Sequence, residues 1–219
     1  MLRSHSPSPT PGGIRSRRTP TFGALAVGLV VAGACAEAPP PPWPLESHSA
    51  SALRIGAAAA DQLSGTLIQQ LSAALDSAGP AGAIGFCSSE ALPLTAAVAA
   101  SMDGVEIKRT GTRIRNPANA PDSLEAEALA YFEAGLAETG ALPESWVQTE
   151  GEAALRYYRP LVVNAMCVQC HGPATGLSPD VVATLEERYP NDRATGYSPG
   201  DFRGLIRVRI SREALEVGG

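Results

Sequence analysis

The chain has 219 residues, 44% of them hydrophobic, with 17 Lys and Arg against 22 Asp and Glu and a formal net charge of −5. Removing residues 1–34 takes away four arginines and no acid, so the balance falls to −9. A surface of that sign repels phosphate backbones, which sets nucleic-acid binding aside.

Residues 1–35 read as an export signal rather than as fold. Arg3, Arg15, Arg17 and Arg18 form a basic region without acids, followed by an apolar stretch through Phe22, Leu25, Val27, Leu29, Val30 and Val31. The stretch closes on Ala32-Gly33-Ala34-Cys35, the layout of a secretory signal, and it is shorter than the ~20 apolar residues of a membrane span. Cysteine after small residues resembles a bacterial lipoprotein signal, in which cleavage before Cys35 leaves that residue to carry the lipid. Ordinary cleavage near Ala34–Ala36 is the other reading. Both imply export to the periplasm, and the first adds a membrane tether on lipidated Cys35.

Residues 36–50 hold Pro39–Pro42 and Pro44 and read as a tether stiffened by polyproline conformation, with His48 facing solvent. Residues 51–219 are then one domain, long enough for a substantial core. No later segment has the length and apolarity to span a bilayer. Leu53, Ile55, Leu63, Leu67, Ile68, Leu71 and Leu75 recur at helical spacing and predict a long helix over 52–77, stopped by Gly79-Pro80. An Ala-rich helical region follows over 81–102, interrupted near Pro93, and 104–110 alternates like a strand. Residues 116–122 are turn-rich, and Asp122 with Glu125 forms a capping-box pattern opening a helix through Tyr131, Phe132 and Leu136. Residues 146–149 and 154–163 predict a hairpin turning near Gly151, with 180–188 a short helix and 204–210 a closing strand. Helices followed by antiparallel strands argue for an α+β fold.

Cys167-Val168-Gln169-Cys170-His171 stands directly after the second hairpin strand. C-x-x-C-H is the attachment pattern of a c-type haem: two thiols bond the porphyrin and the adjacent histidine can bind its iron. The rival readings are a dithiol redox pair and half a zinc site; the latter needs a second Cys/His pair, and none follows Cys170. One such motif implies one covalent haem. Assigning Cys35 to lipid or cleavage, and Cys167 and Cys170 to haem, leaves Cys87 as a lone thiol in an oxidising compartment. By residue type alone, a buried structural thiol is the plainer reading of Cys87.

The stretches Arg113-Ile114-Arg115-Asn116-Pro117-Ala118-Asn119-Ala120-Pro121-Asp122 and Tyr157-Tyr158-Arg159-Pro160-Leu161, the latter running on to the haem motif, resemble a known bacterial family. So do Tyr189-Pro190 and the segment from Gly196 to Gly204. This is the PAS-like c-type haem family, found alone or as the extracytoplasmic input module of sensor histidine kinases. The likeness covers about residues 52–210. It implies a PAS-like antiparallel sheet with flanking helices and a long N-terminal helix, enclosing one covalent haem. No kinase or spanning segment follows, so the implied form is a standalone one.

The resemblance further implies an iron ligand set of His171 and Cys87, with Met102 as the rival to Cys87. Arg113, Arg115, Arg159 and Arg203 lie within the resembling stretches and are candidates for the haem propionates, since guanidinium groups pair well with carboxylates. Tyr157 and Tyr158 alternate, so only one can face a pocket. His5, His48 and His171 are the only histidines, which leaves no distal histidine in the domain for acid–base work. The expectation is a non-enzymatic protein: a redox or gas sensor binding a small ligand such as carbon monoxide or nitric oxide. The alternative is a low-potential electron carrier serving a redox partner protein.

Overall fold

The computed structural model describes residues 45–217, so the expected export signal, Cys35 and most of the expected tether lie outside the described residues. The first helix, α1 (Leu45–Ser89), is broken at Gly79, where φ is 64° and ψ −176°. Glycine adopts that conformation without a Cβ penalty. Gly79-Pro80 ends the long arm as the sequence indicates. A helix resumes at once, because proline is well suited to a first turn, where its missing N–H has no partner to lose. The helix also starts earlier than expected: residues 45–50, assigned to the tether, are helical, and His48 is half-buried.

Helix α2 (Ala91–Ala100) follows a turn at Glu90. The interruption expected at Pro93 falls at Glu90 instead, and Pro93 sits in the first turn of α2, where it is tolerated. Strand β1 (Val105–Thr110) leads through a turn to α3 (Ser123–Thr139). The capping box forms as expected: the Glu125 N–H donates to Asp122 Oδ1 at 2.8 Å and the Asp122 N–H to Glu125 Oε2 at 3.0 Å. Strands β2 (Trp146–Glu150) and β3 (Ala154–Val162) form the hairpin, with Gly151 at φ 58° in its turn. Helices α4 (Val168–His171) and α5 (Pro179–Arg188), strand β4 (Phe202–Ser211) and a helix the sequence reading missed, α6 (Arg212–Val217), complete the chain.

The four strands make one sheet in the order β1-β4-β3-β2, every neighbour antiparallel. The fold is the α+β arrangement expected, with a long N-terminal helix on an antiparallel sheet. One face packs on α1: Leu63 of the helix meets Leu155, Tyr157, Ile206, Val208 and Ile210. Gly56 is what allows α1 so close, since a Cβ there would lie 2.2 Å from the Tyr157 ring. The other face packs on α3 through Ala128, Leu129, Phe132, Tyr158 and Leu205. Burying such side chains supplies roughly 1.5–3 kcal/mol each before ordering costs. Tyr157 and Tyr158 thus serve opposite faces, and both pack in the core. Beside the α3 cluster, fully buried Glu125 accepts from Lys108 Nζ at 2.6 Å and Arg207 Nε at 3.2 Å.

The face toward α1 also sets up the site. Val105, Ile107 and Arg109 of β1 alternate onto it, opposite Ile210, Val208 and Ile206 of β4. Its apolar strip therefore ends in a charge. Among the described residues no single helix is long and apolar enough to cross a membrane.

Candidate functional site

The C-x-x-C-H motif is a single helical turn capped by Cys167, with the His171 N–H donating to the Cys167 carbonyl at 2.9 Å. Residues three apart on a helix share a face, so the spacing brings Cys167 and Cys170 to one side. Both thiols are free, as is Cys87. Cys167 packs beside Val163, Ala194 and Tyr197, and Cys170 beside Ile84, Val181, Leu185 and Tyr189. Gly172 closes the turn tightly, since a Cβ there would lie 2.5 Å from the Val168 carbonyl oxygen.

The loop before β4 clamps this turn. The N–H groups of Gly196 and Tyr197 donate to the carbonyls of Gly172 and His171 at 2.7 and 2.9 Å. His171 Nδ1 lies 2.6 Å from the Ala194 carbonyl, and only a protonated Nδ1 can bond an acceptor there. That tautomer leaves the Nε2 lone pair for a metal. Burial first, then the charges of Arg115 and Arg203, push the imidazole pKa down to about 3. The ring is thus held neutral, the form that ligates.

Two cavities meet at His171. One, of about 120 Å³, is the more polar of the two and is lined by Cys87, Arg109, Arg115, Asn116 and Arg203 among others. The other, of about 260 Å³, is apolar and lined by Leu67, Ile68, Leu71, Leu161, Met166 and Cys167. Arg109, Thr110, His171 and Arg203 border both. Cys87, on the short arm of α1, therefore opens on the same space as His171, 84 residues away in sequence. Burial raises its thiol pKa, against the opposing charges of Arg109 and Arg115.

Met102 does not share this space. It lies at the Val105 end of β1, lining a separate cavity with Ile55, Gly104 and Ser211. The six-residue strand separates it from the Arg109–Thr110 end by roughly 3.3 Å per residue. Met102 thus lines a cavity other than the two that His171 borders. Met166 lines the apolar cavity, and its sulfur accepts from the Ser72 hydroxyl at 3.8 Å. Glu90 is exposed.

The four candidate arginines divide. Arg115 ties loops together: Nε donates to Asp192 Oδ2 at 2.9 Å and Nη2 to the Cys170 carbonyl at 2.6 Å. Arg113 is exposed, lies over the Tyr197 ring at 4.1 Å and donates to the Arg193 carbonyl. Arg159 pairs with Asp61 and Ser64 of α1 and lines neither cavity. Arg203 borders both cavities, donates to the Arg113 carbonyl at 2.9 Å and lies 5.3 Å from the Tyr197 ring centre. The sequence reading missed Arg109, which borders both cavities. The available signal was a charge on the apolar side of an alternating strand.

These residues fit a haem: a neutral histidine bordering both cavities, a thiol lining one of them, and arginines that could take the carboxylates. The class they define is a PAS-like c-type haem domain. A family model described as Tll0287-like matches residues 45–211, and the chain belongs to that family. Among solved structures it is similar to the crystal structure of the cyanobacterial haem protein Tll0287, at 26% identity and a TM-score of 0.56. That likeness covers 74% of this chain and 96% of the other. No curated protein matches the chain.

Proposed function

We infer that this chain is an exported monohaem c-type cytochrome acting as a redox or gas sensor module, with His171 and Cys87 as the two iron ligands. The observation that carries the reading is that Cys87 and His171 open on one cavity beside the attachment turn. Cys167 and Cys170 would hold the porphyrin covalently, and the Ala194 carbonyl orients the His171 ring toward it. When bound, the haem supplies a one-electron iron couple, and a thiolate opposite an imidazole favours the ferric state and a low potential.

Cys87 is the residue on which sensing turns. It rides on a short helical arm set off by the Gly79 break and the Glu90 turn, and that arm packs on α5 through Ile84. With a haem held by these residues, Cys87 would be the group able to leave as a thiol on protonation at Sγ, which would make it a two-state element of the kind sensors of carbon monoxide or nitric oxide use. The reading is non-enzymatic. Export to the periplasm follows from the signal-like residues 1–35, with lipidated Cys35 as the membrane tether and a signalling or redox protein as the partner.

A second reading, low-potential electron transfer without signalling, is favoured by one feature. Ile68 and Val162, which border the apolar cavity near Cys167, are 49% and 48% exposed, an apolar rim on which a redox partner could dock. Absorption and low-temperature EPR spectra of wild type and Cys87→Ala, oxidised and then reduced under carbon monoxide, separate the readings. Thiolate-type low-spin signals lost in Cys87→Ala, with carbon monoxide bound on reduction, support the sensor. Spectra indifferent to Cys87→Ala sink the ligand assignment. A reduced protein that stays six-coordinate and refuses carbon monoxide favours the electron carrier.

A further inference from the structure

Arg109 is a partly buried cation that forms no ion pair with an Asp or Glu among the described residues. It stands on the α1-facing side of β1, paired across to Ile206, where its register neighbours Val105 and Ile107 are core. Its Nε is buried and is the one buried side-chain nitrogen or oxygen without a hydrogen-bond partner among the described residues. Its Nη2 reaches only the Ala91 carbonyl, at 3.5 Å, the outer limit of a hydrogen bond. A buried guanidinium N–H left without an acceptor is unfavourable. Burial accordingly lowers its pKa.

The surroundings sharpen the point. Arg109, Arg115 and Arg203 line the polar cavity, and among the described residues no Asp or Glu lines it or its apolar neighbour. Of these three, Arg115 is already spent on Asp192 and the Cys170 carbonyl, and Arg203 on the Arg113 carbonyl. Arg113 is outside, and Arg159 is engaged by Asp61. A cationic hollow in a chain whose net charge is negative calls for an anion, and a carboxylate matches the two-pronged guanidinium best.

We propose that Arg109 is the principal anchor for a haem carboxylate, donating through Nε and one Nη, with Arg203 lining the same cavities. This rests on the haem reading above and adds to it. It would turn the carboxylates toward the cavity lined by Asn116 and the apolar part of the group toward the cavity lined by Leu67 and Leu71. It also gives Arg109 control of the potential, because a nearby fixed cation favours the reduced form, which carries one positive charge less.

The test uses the exported, haem-loaded protein. Arg109→Gln and Arg109→Lys are compared with wild type for haem per chain, the propionate-bending bands of the resonance Raman spectrum, and the midpoint potential. The proposal expects Arg109→Gln to shift those bands and to lower the potential by roughly tenfold in the oxidised-to-reduced ratio, about 59 mV for a one-electron couple. Arg109→Lys should keep most of the potential while still shifting the bands, since charge survives and the fork does not. If Arg109→Gln does not accumulate folded, the Arg109→Lys bands decide. Haem-loaded variants with wild-type bands and potential overturn the assignment. A wild-type protein that carries no haem overturns the haem reading and this anchor together. It is told apart because haem content fails before any variant is compared.

Discussion

Replacing Arg115 by methionine should loosen the attachment turn from the loop that clamps it. Arg115 and Asp192 form a pair 2.9 Å apart, with side chains only 10% and 9% exposed, and the same guanidinium holds the Cys170 carbonyl at 2.6 Å. Removing one member of a largely buried pair costs about 3–5 kcal/mol, because the other is left desolvated. Asp192 keeps a bond from the Ala194 N–H at 2.7 Å, and methionine fills most of the vacated volume, so the lower end applies, about 3 kcal/mol. In a domain of this size each kcal/mol moves Tm by roughly 2–4 °C, giving a loss of about 6–12 °C. Thermal unfolding followed by circular dichroism measures it, in a cycle with Asp192→Asn. The double variant should lose little more than Arg115→Met alone. A shift under about 2 °C, or strictly additive losses, would refute the pairing as the source of stability.

Glu125→Gln keeps the shape of the buried side chain but leaves Lys108 and Arg207 facing a neutral amide; urea unfolding should show a loss of about 3 kcal/mol or more with an unchanged slope. Gly79→Ala forces an alanine to φ 64°, costing about 1–2 kcal/mol. Through the arm that carries Cys87, it should alter the thiolate-dependent EPR signal, whereas an unaltered signal would argue that the break does not position Cys87. Stability should hold as pH is lowered to about 5 and then decline. The Arg156 hydrogen bond holds Glu150 below its ordinary value of 4.5, and in Asp122 the Glu125 N–H and Arg156 outweigh the upward effect of burial to hold it below 3.8. Groups depressed in the folded state stabilise above their unfolded pKa and lose that contribution as pH falls through the folded one. A pH titration of the urea midpoint that rises on acidification would contradict this.

Much of the fold was legible because its signals are local. The Asp122/Glu125 box, the alternation of Ile206, Val208 and Ile210, and the Gly151 turn each need only neighbours in sequence to be read. The failures share a physical cause. Pro93 was read as an interruption, yet proline breaks a helix only from its interior, and it sits in the first turn of α2. Residues 45–50 looked like tether by composition, while the packing of Ala52 and Ala59 in the core carries the helix back to Leu45. At the site, the attachment motif was visible as a string, but the arginines required three dimensions. Arg115 and Arg159 lie in distinctive stretches and prove to be cross-links between elements. Arg109, in an unremarkable strand, is the one that borders both cavities with its Nε unpartnered.

The central claim is that this chain carries one haem, bonded to Cys167 and Cys170. Intact-mass spectrometry with haem staining of the denatured, exported protein tests it most directly, beside Cys167→Ala, Cys170→Ala and the double variant. The account predicts a mass increase of one haem that survives denaturation in wild type, persists at reduced yield through a single bond in either single variant, and is absent from the double. A wild-type chain of unmodified mass when produced with the export and haem-attachment machinery, or a haem that washes out on denaturation, would contradict it.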